Sequence, residues 1–325
     1  IGVKGEEKLT DNLSAVYLAE WEISADGDGD VFKNRNRFVG IKSNGVATLK
    51  VGQYDSYFKT AAGNNQDIFN DHNELDMTAV LAGEDRLKNV IGFETDKKLL
   101  GGLAFNIMFQ QGENAATSAT AKTSTTSTAG VTKEKTVVTN YGLKDARDGF
   151  GDGVSASLTY ENKDMGLAAA VAANRAIASK FNAYSDLTGI YTDAVRVTGS
   201  LDLGAMGASG LVLGALWQTA KPTDDVVAVI TTTKETGKPD TVTNNSFKGL
   251  KENAFGVTAS YIIPSTPVKL KAEYISAKTE ADGRDDRKQD LYGVGADYQI
   301  NKQARFYGIV AQQKRDWLTK DDKKT

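Results

Sequence analysis

The chain has no cysteine, one histidine, only four prolines and no long apolar run. Without cysteine there are no disulfides and no thiolate chemistry, and with a single His most transition-metal sites are gone as well, so zinc and thiol enzymes are excluded. In an envelope protein the same absence avoids unwanted cross-links during export. The most apolar stretches, such as residues 210–217, fall far short of the roughly 20 residues a helix needs to cross a bilayer. That excludes a helical membrane protein and leaves a closed barrel as the other structure able to satisfy its backbone polar groups in lipid. Net charge is also small, −3 from 39 basic and 42 acidic residues. No global basic field points to nucleic acid, the basic residues are not interleaved with stacking aromatics, and no glycine motif cradles phosphate. No nucleic-acid partner and no cofactor are therefore expected.

What the chain does have is 32 glycines in 325 residues and a two-residue alternation that recurs in segments of about ten residues from end to end. Val154, Ala156, Leu158 and Tyr160 alternate with Ser155, Ser157, Thr159 and Glu161. Val195, Val197, Gly199 and Leu201 alternate with Arg196, Thr198, Ser200 and Asp202, and Phe255, Val257, Ala259, Tyr261 and Ile263 with Gly256, Thr258 and Ser260. Successive side chains of a strand point to opposite faces, so each segment has one apolar and one polar side. No Pro-rich or Ser/Gly-rich linker splits the pattern, and we read residues 1–325 as a single domain.

Turn chemistry recurs at residues 8–12, 43–46, 96–102, 162–166, 204–210, 264–267 and 301–303. Between these come long polar connections at 25–34, 57–87, 112–153, 178–193, 221–252 and 279–289. Short turns at one end and long loops at the other give the asymmetry of an outer-membrane barrel, with about fourteen strands in this chain. The Ala/Thr/Ser tract at 115–130 reads as a mobile surface loop.

Energy decides which face is outside. An Arg facing lipid at the midplane costs on the order of 2 to 4 kcal/mol, whereas inside a water-filled barrel it is nearly free. Arg196 is therefore expected inside, with Val195 and Val197 facing out. Lys269, Lys271 and Glu273 likewise send Val268, Leu270, Ala272 and Tyr274 to lipid, and the outward set in residues 13–21 is Leu13, Ala15, Tyr17, Ala19 and Trp21. Tyr17, Trp21, Tyr160, Trp217, Tyr261, Tyr274, Tyr298 and Trp317 lie near strand ends, as an interfacial girdle would require; core packing explains any one of them equally.

Three segments carry a family resemblance. They are the opening from Ile1 to Tyr17, then Asn34-Arg-Asn-Arg-Phe-Val-Gly-Ile-Lys, then Ala47-Thr-Leu-Lys-Val-Gly-Gln-Tyr-Asp. Together they resemble the early strands of Gram-negative general diffusion porins. Asp67-Ile-Phe-Asn-Asp, followed by Arg86-Leu-Lys-Asn-Val-Ile-Gly-Phe-Glu, resembles that family's third loop and the strand after it. The resemblance implies a homotrimer of sixteen-stranded transmembrane antiparallel barrels, with the third loop, residues 57–87, folded inward to narrow each pore. Set against that pattern, a first strand and a final strand ending in an aromatic residue are expected to be missing. The chain also starts at Ile1 with neither Met nor a signal sequence, which reads as a processed or trimmed protein.

On this reading function resides in charge facing charge across the pore. Lys33, Arg35 and Arg37 share a face by period two, and the cost of lipid exposure turns that face inward. Arg86 and Lys88 repeat the arrangement after the third loop. Opposite them are Asp67, Asp71, Glu74 and Asp76 in a loop too long for a simple turn. A positive wall against a negative loop produces a transverse field that low-dielectric walls focus. The resemblance matches Arg35 and Arg86 to basic-cluster positions and places Asp67 and Asp71 near the loop acids; Gln53 stands where an Arg is common. The competing account is that these charges are solvated faces with local salt bridges.

Other candidate sites fail on chemistry. The acidic run from Asp26 to Asp30 opens like a calcium loop, but its twelfth position is Arg37 where a bidentate Glu is required. With residues 282–286 it reads as an acidic turn, able at most to hold divalent cations loosely beside lipopolysaccharide. His72, among loop acids, lacks the Ser and carboxylate that a hydrolase would need. No enzyme chemistry is expected. The leading expectation is a passive outer-membrane channel for small hydrophilic solutes and ions, with lipopolysaccharide and outer-membrane lipids around it. A substrate-specific porin is a second possibility; for sugars it should line its lumen with aromatics, and most aromatics here assign outward. A soluble all-β adhesion or binding protein is a third, distinguished by remaining in solution without detergent.

Overall fold

The computed structural model describes residues 1–23, 32–69, 75–113, 120–128, 131–140, 146–184, 187–224 and 228–318. Asp71, His72, Glu74 and the run from Asp26 to Asp30 lie outside the described residues. Among those described there are eighteen strands: β1 (Gly2–Lys8), β2 (Leu13–Ile23), β3 (Phe32–Ser43), β4 (Ala47–Asp55), β5 (Arg86–Thr95), β6 (Leu103–Gln111), β7 (Thr120–Thr128), β8 (Val131–Asn140), β9 (Phe150–Asn162), β10 (Leu167–Lys180), β11 (Thr188–Asp202), β12 (Leu211–Pro222), β13 (Ala228–Glu235), β14 (Thr241–Ser246), β15 (Lys251–Ile262), β16 (Val268–Glu280), β17 (Arg287–Gln299) and β18 (Arg305–Arg315). Fourteen of them form one antiparallel meander in the order β1-β2-β3-β4-β5-β6-β9-β10-β11-β12-β15-β16-β17-β18. Its strand number is the one the turn spacing predicts. No helix among the described residues is long and apolar enough to cross a membrane.

The meander exposes apolar side chains at alternate positions along successive strands: Val39 and Ile41, Leu49 and Val51, Val195 and Val197, Phe255 and Val257, and Leu270. The intervening positions, among them Ser155, Ser157, Arg196, Thr198, Lys271 and Glu273, are buried. The polar face is therefore the concave one, as the lipid-cost argument requires. Residues 56–69 and 75–85 lie against this face as an inner segment, with two short helices, α1 (Tyr57–Thr60) and α2 (Gly63–Gln66). The Phe58 N–H donates to Ser155 Oγ of β9 at 3.1 Å, and Gln66 Nε2 donates to the Gly199 carbonyl of β11 at 2.7 Å. Gln289 Nε2 of β17 donates to the Ala79 carbonyl at 2.9 Å. A segment that leaves between the fourth and fifth strands of the order and touches the thirteenth requires the sheet to curl around it.

Two inward glycines make that approach possible. A Cβ at Gly293 would stand 3.0 Å from Phe69 and 2.9 Å from Leu75, and one at Gly295 would stand 3.0 Å from Phe69. Smooth backbone at β17 thus receives the tip of the inner segment.

Three expectations are corrected. The tract at 115–130 contains β7, part of a separate four-stranded sheet in the order β14-β13-β8-β7. Its β-branched and hydroxyl residues pair across strands, Thr123 with Thr136 and Ser127 with Thr132, and β8 pairs in turn with β13 from another long connection. Composition alone cannot reveal a partner about a hundred residues away. The connection expected over 178–193 is shorter, because β10 runs to Lys180 and β11 begins at Thr188. Trp317 departs from the girdle, packing beside Arg287 (5.4 Å from its guanidinium carbon to the ring centre) against the buried cluster that contains Phe181 and Tyr184.

Because the inner segment rests on bare backbone at β17, Gly293→Leu should overpack the site and destabilise the protein by about 1–3 kcal/mol. Thermal unfolding in detergent measures this, and an unchanged midpoint would show that the segment is not seated there.

Candidate functional site

The inner segment divides the concave face into a dry half and a wet half. Toward β9–β17 it is anchored by apolar packing: Phe58, Ala61 and Ala82 join Phe181, Leu187, Ile190, Ala220, Phe247 and Leu250 in one cluster, and Phe69, Leu75, Met77 and Leu81 join Leu216, Ile275 and Leu291 in another. The anchor at the centre is Arg196 of β11, 0% exposed. It pairs with Glu84, donates through Nε to Gln218 Oε1 at 3.0 Å and through Nη1 to the Phe58 carbonyl at 3.3 Å, and lies 4.3 Å from the centre of the Phe58 ring. Gln218 passes the contact on, donating through Nε2 to the Ala82 carbonyl at 3.0 Å, while Glu252 Oε1 accepts from the Ala82 N–H at 2.8 Å. An arginine that the alternation places inside is thus a buried pin with its donors satisfied, and it does not line a water path.

The wet part is the wall of β1–β6, beside a polar cavity of about 450 Å³ that Gln66 of the segment shares with Ser157 and Thr159 of β9 and Ser200 of β11. A cavity of about 600 Å³ is bounded by Glu20 and Glu22 of β2, Arg35 of β3, and Asp76 and Thr78 of the inner segment. A second of about 350 Å³ is bounded by Lys50, Tyr54, Asp55, Thr60 and Glu94. Arg35 and Asp76 therefore face one space, and Arg35 also approaches Glu20 at 3.4 Å and Glu22 at 3.7 Å. Lys33 reaches Glu22 at 3.4 Å. Arg86 donates to Asn36 Oδ1 at 2.7 Å and pairs with Asp55 at 3.1 Å; Lys59 lies 3.8 Å from the same carboxylate. Lys88 is exposed next to Asn89, whose φ of 54° marks an irregularity where β5 pairs with β4. With Arg86 and Arg147 it lines a separate cavity of about 340 Å³.

Arg37 breaks the expected common face. Ala19 pairs with Arg37, but Trp21 pairs with Asn34, so β3 carries one extra residue between them. That bulge reverses the alternation. Arg37 then shares its side with the exposed Val39 and Ile41 and donates to Gln53 Oε1 at 3.2 Å, so it is not grouped with Lys33 and Arg35.

Of the loop acids, Asp76 caps the 3-10 turn Met77–Ala79, accepting from the Thr78 N–H at 2.9 Å. Asp67 lies deeper. Burial first, then the charges of Asp76 and Glu84, push its carboxyl up to about 7 against the opposing pull of Lys59 and Arg196. Glu273 of β16 adds a further carboxylate to the same field. Asp85 is also raised to about 7 by burial, partly opposed by the Ser179 hydroxyl. Asp67 is thus buried within the segment and does not line the Arg35 cavity that Asp76 bounds, so the two acids are not equivalent.

Several participants escape the sequence pattern. Lys50 pairs with Glu94 and sits 4.8, 4.5 and 5.7 Å from the ring centres of Phe38, Tyr54 and Tyr57; Lys42 meets Glu6 at 3.0 Å. Each pair joins neighbouring or near-neighbouring strands, and the inward even positions of β1, β3, β4 and β5 signal it. The aromatics are not all outward: Phe38, Tyr54 and Tyr57 face this half, while Phe58 and Phe69 of the segment are buried against the wall. Among the described residues no group of three or more His, Asp or Glu is arranged to hold a metal.

Comparison with known proteins supplies context. A family profile described as Gram-negative porin matches residues 1–317. The major outer membrane protein P.IB of Neisseria meningitidis serogroup B is 31% identical over 116 residues, covering 35% of this chain and 33% of that protein. The chain therefore spans about a third of the length of the curated relatives it matches. Among solved structures, an anion-selective porin from Comamonas acidovorans superposes with a TM-score of 0.61 at 19% identity, covering 97% of this chain and 78% of that one. The outer membrane channel DcaP of Acinetobacter baumannii gives 0.55 at 15% identity, covering 97% and 78%. At these identities the likeness is one of fold.

Two outcomes follow from the pinned segment. Arg196→Met leaves Glu84 buried without its partner and should destabilise the seated segment by about 3–5 kcal/mol, read as faster proteolysis within residues 56–85; proteolysis at the parent rate would refute the pin. Asp67 and Asp85 have folded-state values above their ordinary ones, so they oppose seating increasingly as pH rises from about 4 to about 7. Amide exchange at Phe58, Ala82 and Gly83, corrected for intrinsic rate, should be slower at pH 5 than at pH 8, and Asp67→Asn should flatten the difference.

Proposed function

Because this chain belongs to the Gram-negative porin family, we propose that it forms an outer-membrane channel for passive diffusion of small hydrophilic solutes and ions. In this reading residues 1–325 make one barrel domain, residues 57–87 are the constriction, and the working unit is a homotrimer set among lipopolysaccharide and outer-membrane lipids. The observation that carries it is the division of the lumen. Apolar clusters around Arg196 close part of it, while cavities stay open beside Glu20, Glu22 and Arg35 opposite Asp76, beside Lys50 and Glu94, and beside Ser157, Thr159 and Ser200. The water path then runs eccentrically, along β1–β6 and the adjoining wall of β9–β11.

The basic residues of that path are paired. Arg35 leans on Glu20 and Glu22, Lys50 on Glu94, and Arg86 on Asp55. Such pairing weakens the net field but leaves strong local dipoles, which favours a filter by size and dipole over a strong preference for one ionic sign. A substrate-specific channel is the second reading. It is favoured by the inward cluster of Phe38, Tyr54 and Tyr57 under Lys50.

Neutralising Arg35 and Arg86 would leave Glu20 without its partner and Glu22 and Asp55 with only Lys33 and Lys59, and so make the field around Asp76 more negative. The double variant Arg35→Gln, Arg86→Gln should therefore raise the cation-to-anion permeability ratio by roughly twofold or more. Reversal potential in a salt gradient across a planar bilayer is the measurement. An unchanged potential would remove both residues from the constriction, and absence of stepwise conductance in the parent would sink the channel reading.

A further inference from the structure

One ion pair of the lumen wall is enclosed by rings. Lys50 of β4 pairs with Glu94 of β5, and its Nζ also lies 4.8, 4.5 and 5.7 Å from the ring centres of Phe38, Tyr54 and Tyr57. Each distance is within the reach of a cation–π contact. The rings stand at angles to one another, Phe38 to Tyr54 at 71° and Tyr54 to Tyr57 at 58°, so they wall the ammonium on several sides. Rings and carboxylate together make an aromatic cage, the arrangement by which proteins recognise ammonium ligands. Here the cage is filled by a lysine of the same chain.

The backbone makes room for it. The positions paired with Lys50 on both neighbouring strands are glycine, Gly40 of β3 and Gly92 of β5. A Cβ at Gly40 would stand 3.1 Å from Lys50 Cγ, and one at Gly92 would stand 2.8 Å from the Tyr57 hydroxyl. Tyr54 and Tyr57 are each 3% exposed, and their hydroxyls, beside one another and Glu94, complete no hydrogen bond among the described residues. Hydrogen-bonding capacity left unused at that depth is costly unless a ligand takes it up. The cage is also within reach of a solute. It borders the cavity of about 350 Å³, which shares Asn106 and Thr159 with the polar cavity beside Ser157 and Ser200.

We propose that Lys50 and Glu94, with the rings of Phe38, Tyr54 and Tyr57, form a lumen site for a small zwitterion, an amino acid that exchanges with the internal pair. The solute's ammonium takes the place of Lys50 Nζ between the rings and Glu94, and Lys50, turning on its flexible stem, meets the solute's carboxylate. The proposal rests on the channel reading and names a solute class for it. Charge balance decides the occupant. A plain organic cation evicts Lys50 and leaves two positive charges to one carboxylate, and a plain anion draws Lys50 away and leaves Glu94 bare. A zwitterion replaces one ion pair by two, and its primary ammonium can donate to the phenol oxygens as well.

The test uses the full chain in planar bilayers at constant ionic strength, where a solute held in the lumen lowers the single-channel current. The probes are L-leucine, its deaminated analogue 4-methylpentanoate and its decarboxylated analogue 3-methylbutylammonium. In the parent, leucine should reach half-block at a concentration about tenfold below that of either analogue, as expected for one added charge-assisted contact. Lys50→Met empties the cage and leaves Glu94, so 3-methylbutylammonium should then block at the lowest concentration. Glu94→Gln frees Lys50, so 4-methylpentanoate should take that place. Three results overturn the proposal: equal half-block by the three probes in the parent, tighter block by either analogue in the parent, or the parent's order retained in either folded variant. Retention of parental heat-resistant mobility shows that the variants fold, and the order of the probes in the parent needs no variant. Stepwise current in salt alone reads the channel separately, so steps without a preference for leucine would sink the site and leave the channel.

Discussion

A guanidinium removed from water is tolerated only where its charge and its donors are met, and Arg196 is met by the segment that crosses the barrel together with Gln218 of the neighbouring strand. Glu84 supplies the charge, Gln218 and the Phe58 carbonyl accept from its donors, and the Phe58 ring covers it. Segment and wall are thereby made one object. The apolar clusters around Phe58 and Phe69 close over the pin, and the glycines of β17 let the segment reach the far side. The open lumen is what remains: it follows the wall of β1–β6 and includes a polar cavity of about 450 Å³ bounded by Gln66, Ser157, Thr159 and Ser200.

The eccentric lumen changes the meaning of the inward charges. Arg196, Gln218 and Gln289 are inward polar residues that act as structural partners of the segment; on β1–β6 such residues border water. Glu273 and Arg35 are both placed inside by the same lipid-cost argument, yet only Arg35 faces a cavity shared with Asp76. Carboxylates on adjacent strands partner most of the basic groups, so the wall works through closely spaced pairs in place of a bare positive stripe. The outer face obeys the complementary rule. There exposed apolar side chains cover the wall, Val195, Val197, Val257 and Leu270 among them.

Much of this was legible in the sequence. The period of two, the alternation of short turns with long connections and the cost of Arg196, Lys269 and Lys271 in lipid determined an antiparallel wall of about fourteen strands, and which face of each looks inward. These are local properties: a strand's two faces are set by covalent geometry, and a charge pays the same penalty wherever lipid meets it. Lys33 and Arg35 follow from that logic. The rest required contacts between residues far apart in sequence. A single extra residue in β3 turned Arg37 to the other side, because register depends on a neighbour's pairing. β7 and β8 became strands because β13, about a hundred residues on, offered an edge. Arg196 was recognisable as inward, but whether it met water or Glu84 depended on where segment 56–85 settled, and packing between distant apolar groups settled that. Sequence determined the two sides of the wall, and tertiary structure alone decided which part of the inner side stays wet.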